Sequence, residues 1–104
     1  VTHFGGITIY SVYANLMLPN PALIGCYGVP HSDGKHPHFN DECITALYYV
    51  NDADGDTYLF DKQGNITQQI TPKKNRVVLF DGLTPHASSS PKNGSRCVIN
   101  FNLR

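Results

Sequence analysis

Arg96-Cys97-Val98-Ile99-Asn100-Phe101-Asn102-Leu103 is the stretch on which the fold turns. Successive side chains of an extended chain point to opposite faces. Arg96, Val98, Asn100 and Asn102 therefore share one face, and Cys97, Ile99, Phe101 and Leu103 the other. The run Ile44 to Val50 divides in the same way, with Ile44, Ala46, Tyr48 and Val50 opposing Thr45, Leu47 and Tyr49. Each strand so read has one apolar face and one mixed face. If the mixed faces point inward, they enclose a polar pocket, and the apolar outer faces need cover from residues upstream or from a second copy of the chain. If the apolar faces point inward, Arg96 and Asn100 stand in solvent. Alternation alone does not choose between the two.

Outward from these strands the same grammar repeats. Turn formers recur at Pro19-Asn20-Pro21, Asp33-Gly34, Asp54-Gly55, Gly64-Asn65, Asp81-Gly82 and Asn93-Gly94. Between them lie runs of strand length: Ile7 to Leu18 with a break allowed inside it, Ile24 to Asp33, Ile44 to Asn51, Thr57 to Asp61, Ile66 to Thr71, Arg76 to Asp81, His86 to Ser90, and Arg96 to Leu103. No stretch keeps a 3.6-residue period. About eight short antiparallel strands with little or no helix predict an all-β jelly roll or related barrel.

The 104 residues and zero formal net charge suit one domain over residues 1–104, with room left for flanking helices upstream. No apolar run approaches the roughly 20 residues of a membrane span, and no signal-peptide pattern opens the chain. Charges are scattered, with Lys73-Lys74 the one basic pair in sequence, so neither nucleic acid nor a membrane surface is expected as a partner. Cys26, Cys43 and Cys97 are odd in number and widely spaced, which predicts free thiols and a reducing, cytoplasmic setting.

Chemistry concentrates in His31-Ser32-Asp33 and in His86, 55 residues after His31. Two residues apart on a strand, His31 and Asp33 project to one face. Two imidazoles and a carboxylate on one side of an octahedral ion make the facial triad of non-haem Fe(II) oxygenases, which leaves positions open for a 2-oxo acid and O2. An H-x-D by itself is usually a surface feature. Arg96, ten residues beyond His86, strengthens the case, because its fork can grip a carboxylate bidentately after one strand, a turn at Pro91 to Gly94 and the start of the returning strand. His36 and His38 follow Gly34 in a polar, turn-rich stretch and read as a loop beside the pocket, where substrate contacts are common. Asp52, Asp54 and Asp56 resemble a calcium loop but lack the Glu at its twelfth position, and read as a solvated turn.

Taken in order, His31-Ser32-Asp33, Ile44 to Asn51, Arg76-Val77-Val78-Leu79-Phe80, Pro85-His86 and Arg96 resemble the prolyl-4-hydroxylase-like branch of the Fe(II)- and 2-oxoglutarate-dependent oxygenases, over about Ile24 to Leu103. The resemblance implies a double-stranded β-helix, cupin-like in form, with His31, Asp33 and His86 as metal ligands. It implies Arg96 and Tyr49 on the far carboxylate of 2-oxoglutarate, with Leu47 along its methylenes. The implied reaction consumes 2-oxoglutarate and O2, releases succinate and CO2, and hydroxylates a C–H bond. Ascorbate is the expected supporting reductant, and the substrate is a peptide, prolyl above all, or a small molecule. The chain departs from the family in three places. Asp54-Gly55-Asp56 stands where many relatives have a glycine pair, and Asn100 replaces a small residue near the cosubstrate. The first-strand contact is open among Tyr13, Asn15 and Tyr27. Two other readings compete: a cupin-like metalloenzyme that does not use 2-oxoglutarate, and a non-enzymatic jelly-roll module. Arg96 and Tyr49 speak against the first, and the second predicts no stoichiometric metal. A homo-oligomer through the apolar outer sheet face is a further expectation.

Overall fold

The computed structural model describes residues 2–4, 6–32 and 43–104. Among the described residues, eight strands form two antiparallel sheets. They are β1 (Thr2–Phe4), β2 (Ile7–Met17), β3 (Ile44–Tyr49), β4 (Thr57–Phe60), β5 (Ile66–Ile70), β6 (Val77–Asp81), β7 (His86–Ser88) and β8 (Arg96–Leu103). The larger sheet runs β1-β2-β8-β3-β6 and the smaller β5-β4-β7. β8 is therefore central, with β2 on one side (Val12 opposite Phe101) and β3 on the other (Leu47 opposite Asn100). Among the described residues the one helical element is a 3-10 turn at Pro21–Leu23, where Asn20 accepts from Ala22 N at 3.1 Å. No helix among them is long and apolar enough to cross a membrane.

Burial along β8 decides the open question of the faces. Arg96, Val98, Asn100 and Asn102 are buried, while their neighbours in sequence are half-exposed. On β3 Thr45, Leu47 and Tyr49 are buried likewise. The mixed faces thus point between the sheets, around a small core of Leu47, Tyr49 and Val98 extended by Ile70, Val78 and Phe80. The opposite, apolar face of the larger sheet is open, with Leu79 65% and Val77 56% exposed. Cross-strand pairs keep it continuous: Leu79 faces Ala46, Ala46 faces Phe101 and Phe101 faces Val12.

One expected strand is corrected. Residues 24–32 form no continuous strand, and attach to the smaller sheet only by isolated bridges, Tyr27 to Ser89 and His31 to His86. Gly25, at φ 79°, turns the chain out of the 3-10 element. Pro30 has no N–H to give to a ladder. The other strand expectations hold to within a few residues, and the break allowed within the first run is a register shift between Ile9 and Ser11. β1 is an addition that the sequence pattern does not announce. At the β4–β5 turn Asp61 accepts from Gln63 N and Asn65 N, both at 2.9 Å, while Gly64 takes φ 86°.

Candidate active site

His31 and His86, 55 residues apart, are locked face to face by two backbone hydrogen bonds. His31 N donates to His86 O at 3.0 Å, and His86 N donates to His31 O at 2.7 Å. The imidazole centroids lie 4.4 Å apart. His86 is buried and His31 exposed. Phe80 meets His86 edge-on at 5.0 Å. Nδ1 of His86 lies 3.0 Å from Thr84 O, and Nδ1 of His31 lies 3.4 Å from Val29 O. A carbonyl can only accept, so Nδ1 carries the proton in each ring and Nε2 is the basic nitrogen, the arrangement that orients a metal-binding histidine. Local turns fix these rings. Asp81 Oδ1 accepts from Leu83 N at 2.8 Å, and Gly82 N reaches Cys43 O at 2.8 Å, turning the chain so that Pro85 delivers His86 to the head of β7.

Asp33, expected as the third ligand, lies outside the described residues, as do His36 and His38. Among the described residues no group of three His, Cys, Asp or Glu side chains is placed to hold a metal.

Arg96 opens β8 on the far side of the same cavity. β7 and β8 belong to different sheets, and the Arg96 side chain bridges the two sheets. Nε donates to Gly55 O at 2.7 Å and Nη2 to Thr57 Oγ1 at 2.6 Å. Asn51 grips the strand beneath it, donating to Ser95 O at 2.8 Å and accepting from Cys97 N at 3.0 Å, so the residues on both sides of Arg96 are held by one amide. Burial pushes the guanidinium pKa down, and the electrostatic effects of Tyr49 and Asp56 work the other way. The group stays charged at neutral pH. A buried cation of this kind calls for an anionic partner.

Tyr49, expected to touch 2-oxoglutarate, is fully buried and donates to the same Thr57 Oγ1 at 2.7 Å. Burial raises its pKa, partly offset by the Thr57 bond and by Arg96.

A cavity of about 60 Å³ joins these parts. His31, His86 and Arg96 line it together with four of the expected cosubstrate residues, Leu47, Asn100, Tyr13 and Asn15. Tyr27 is elsewhere, packed on Tyr58 and Phe60 at 5.1 and 5.0 Å. A wider groove of about 320 Å³, floored by Leu16, Met17 and Val29, shares His31, Asn15, Ser88 and Arg96 with the cavity. Four residues of the site escaped the sequence reading, among them Val98, which lines the cavity from the same face of β8 as Arg96. Ser88 was within reach, since it follows His86 by two on one strand and so shares its face. Thr57 and Gly55 carried no signal, because their role depends on the two sheets meeting.

The site suits the ligand set of a 2-oxo-acid-dependent iron protein on its own chemistry. It offers two adjacent imidazoles with basic Nε2 atoms, a buried guanidinium for a remote carboxylate, and a buried polar atom, Asn100 Oδ1, with no partner among the described residues.

The family model described as the 2OG-Fe(II) oxygenase superfamily matches residues 22–104. The chain belongs to that superfamily. It is similar to a prolyl 4-hydroxylase from Phytophthora capsici, at 25% identity and TM-score 0.65 over 88% of this chain and 31% of that one. It shares its fold with a Pseudomonas putida prolyl-4-hydroxylase, at 19% identity and TM-score 0.66 over 89% of this chain and 51% of that one. A Trichoplax adhaerens prolyl hydroxylase in complex with a hypoxia inducible factor oxygen degradation domain peptide fragment shares it too, at 22% identity and TM-score 0.61 over 95% and 46%. The chain thus spans from about a third to about half of these proteins. A search of curated proteins finds no match. Membership implies Fe(II), 2-oxoglutarate and O2 as cofactor and cosubstrates.

Proposed function

We propose that this chain is the catalytic β-core of an Fe(II)- and 2-oxoglutarate-dependent hydroxylase, with His31, Asp33 and His86 as metal ligands and Arg96 as the cosubstrate anchor. The observation that carries the reading is the pairing of two imidazoles at 4.4 Å in one cavity with a buried arginine. Iron, when bound, supplies the oxidation that couples loss of CO2 from 2-oxoglutarate to hydroxylation of a C–H bond. The protein's part is positional. Arg96, fixed by Gly55 O and Thr57 Oγ1, meets the remote carboxylate. Tyr49 supports that grip through Thr57, and Leu47 and Val98 give the cosubstrate's methylenes an apolar wall. Tyr13 and Asn15 close the cavity from β2.

The substrate assigned in this reading is a peptidyl side chain, prolyl above all. Its support is the peptide bound by the Trichoplax relative and the groove leading to His31. Incubating the protein with Fe(II), ascorbate, 2-oxoglutarate and a proline-containing peptide library, and measuring succinate, tests it. Succinate formation that tracks 2-oxoglutarate loss and disappears in Asp33→Ala is expected. Equal succinate from the variant defeats the assignment.

A further inference from the structure

We infer that Asn100 recognises an amide group of the primary substrate, its carboxamide pairing with the amide's N–H and C=O. The inference rests on the hydroxylase reading and deepens it.

Asn100 sits on the inward face of β8, 4% exposed, and lines the cavity with His31, His86 and Arg96. Its Oδ1 is buried and has no hydrogen-bond partner among the described residues. It stands apart among the buried polar side chains of this face, since Arg96 bonds Gly55 and Thr57, and Asn102 accepts from Thr45 at 3.4 Å. Its cross-strand neighbours are Leu47 on β3, which has nothing to offer it, and Tyr13 on β2, which makes no hydrogen bond to its Oδ1. No hydrogen bond links either carboxamide atom to a described residue, so turning the amide about gives neither orientation a partner among them. Buried polar groups are normally paired, and an exception inside a ligand cavity points to the ligand.

2-Oxoglutarate cannot be the whole partner. At neutral pH it presents two carboxylates and a ketone, all acceptors, which serve Nδ2 and leave Oδ1 unserved. A carboxamide exposing one donor and one acceptor is complementary to a secondary amide, which supplies one of each. The groove of about 320 Å³ that shares His31, Asn15 and Ser88 with the cavity gives such a group its approach.

The test uses the full chain loaded with Mn(II) and 2-oxoglutarate, titrated calorimetrically with blocked prolyl dipeptides and with ester analogues in which one amide N–H is replaced by oxygen. Wild type should bind at least one amide about tenfold more tightly than its ester. Asn100→Leu should erase that difference, and Asn100→Thr should do the same if the Leu variant fails to fold. Three outcomes overturn the inference: amide and ester binding wild type alike, discrimination surviving in a folded Asn100 variant, or no dipeptide binding by a protein that holds Mn(II) and 2-oxoglutarate. Failure to hold Mn(II) and 2-oxoglutarate overturns the hydroxylase reading as well.

Discussion

Arg96 reaches across from the larger sheet to the smaller one, its Nη2 hydrogen-bonded to Thr57 Oγ1 at 2.6 Å. The same oxygen accepts the Tyr49 hydroxyl at 2.7 Å, so one threonine aligns two side chains from the opposite sheet.

Thr57→Val keeps the shape and removes the oxygen, stranding two buried donors. Each costs about 1–3 kcal/mol. Urea denaturation should show the lost stability, and the 2-oxoglutarate KM should rise about tenfold or more. Thr57→Ser should restore both, and a Val variant indistinguishable from wild type would count against the relay.

Arg96→Lys is not conservative here, because a point charge cannot serve Gly55 O, Thr57 Oγ1 and a carboxylate together. Arg96→Ala should weaken 2-oxoglutarate binding by about 2–5 kcal/mol. The Lys variant should fall between. Titration of each Mn(II)-loaded variant reads the effect, with metal affinity nearly constant as the expected control.

Gly55 is packed against the chain that leads into β8. A β-carbon there would collide with Ser89 O and lie 2.9 Å from Ser90 C and Pro91 N, all backbone atoms that cannot swing aside. Gly55→Ala should destabilise by about 1–3 kcal/mol and loosen the carbonyl that holds Arg96 Nε. A thermal melt unchanged within a degree would contradict this.

His31→Ala and His86→Ala leave the backbone bridge between the two residues in place, so the fold should persist. Mn(II) affinity should fall by more than the about 10- to 100-fold typical of changes outside the ligand shell. Asp33→Ala should behave alike. Electron paramagnetic resonance of the bound and free ion is the readout, and full binding in any one variant removes that residue from the ligand set.

Tyr49 sets an alkaline limit. Burial raises its folded pKa above the ordinary 10.0, so its contribution to stability is complete below about pH 10 and is lost as pH rises past that value. Asp61 works in the opposite sense. Hydrogen bonds from the backbone of Asn65, Gln63 and Gly64 lower its pKa below 3.8, so its contribution is present above that range and is lost as the pH falls through the folded value. Denaturation midpoints across pH for Tyr49→Phe and Asp61→Asn should flatten the alkaline and acid limbs respectively, and an unflattened limb would rule out its group as the cause.

Period-two alternation, turn residues and the absence of a helical period determined an all-β chain, because side-chain direction along a strand depends only on local geometry. The same alternation put Arg96 with Asn100, and Thr45 with Tyr49, on single faces. It failed at residues 24–32, where a glycine turn and a proline outweighed a strand-like composition. Which face turns inward was beyond the sequence, since both packings bury comparable runs of side chains. The meeting of the two sheets decided it, and with it the contacts that no spacing encodes: His31 against His86, Arg96 on Gly55 and Thr57, and the unpaired amide of Asn100. Those depend on residues tens of positions apart reaching one place, and only the closed fold fixes that distance.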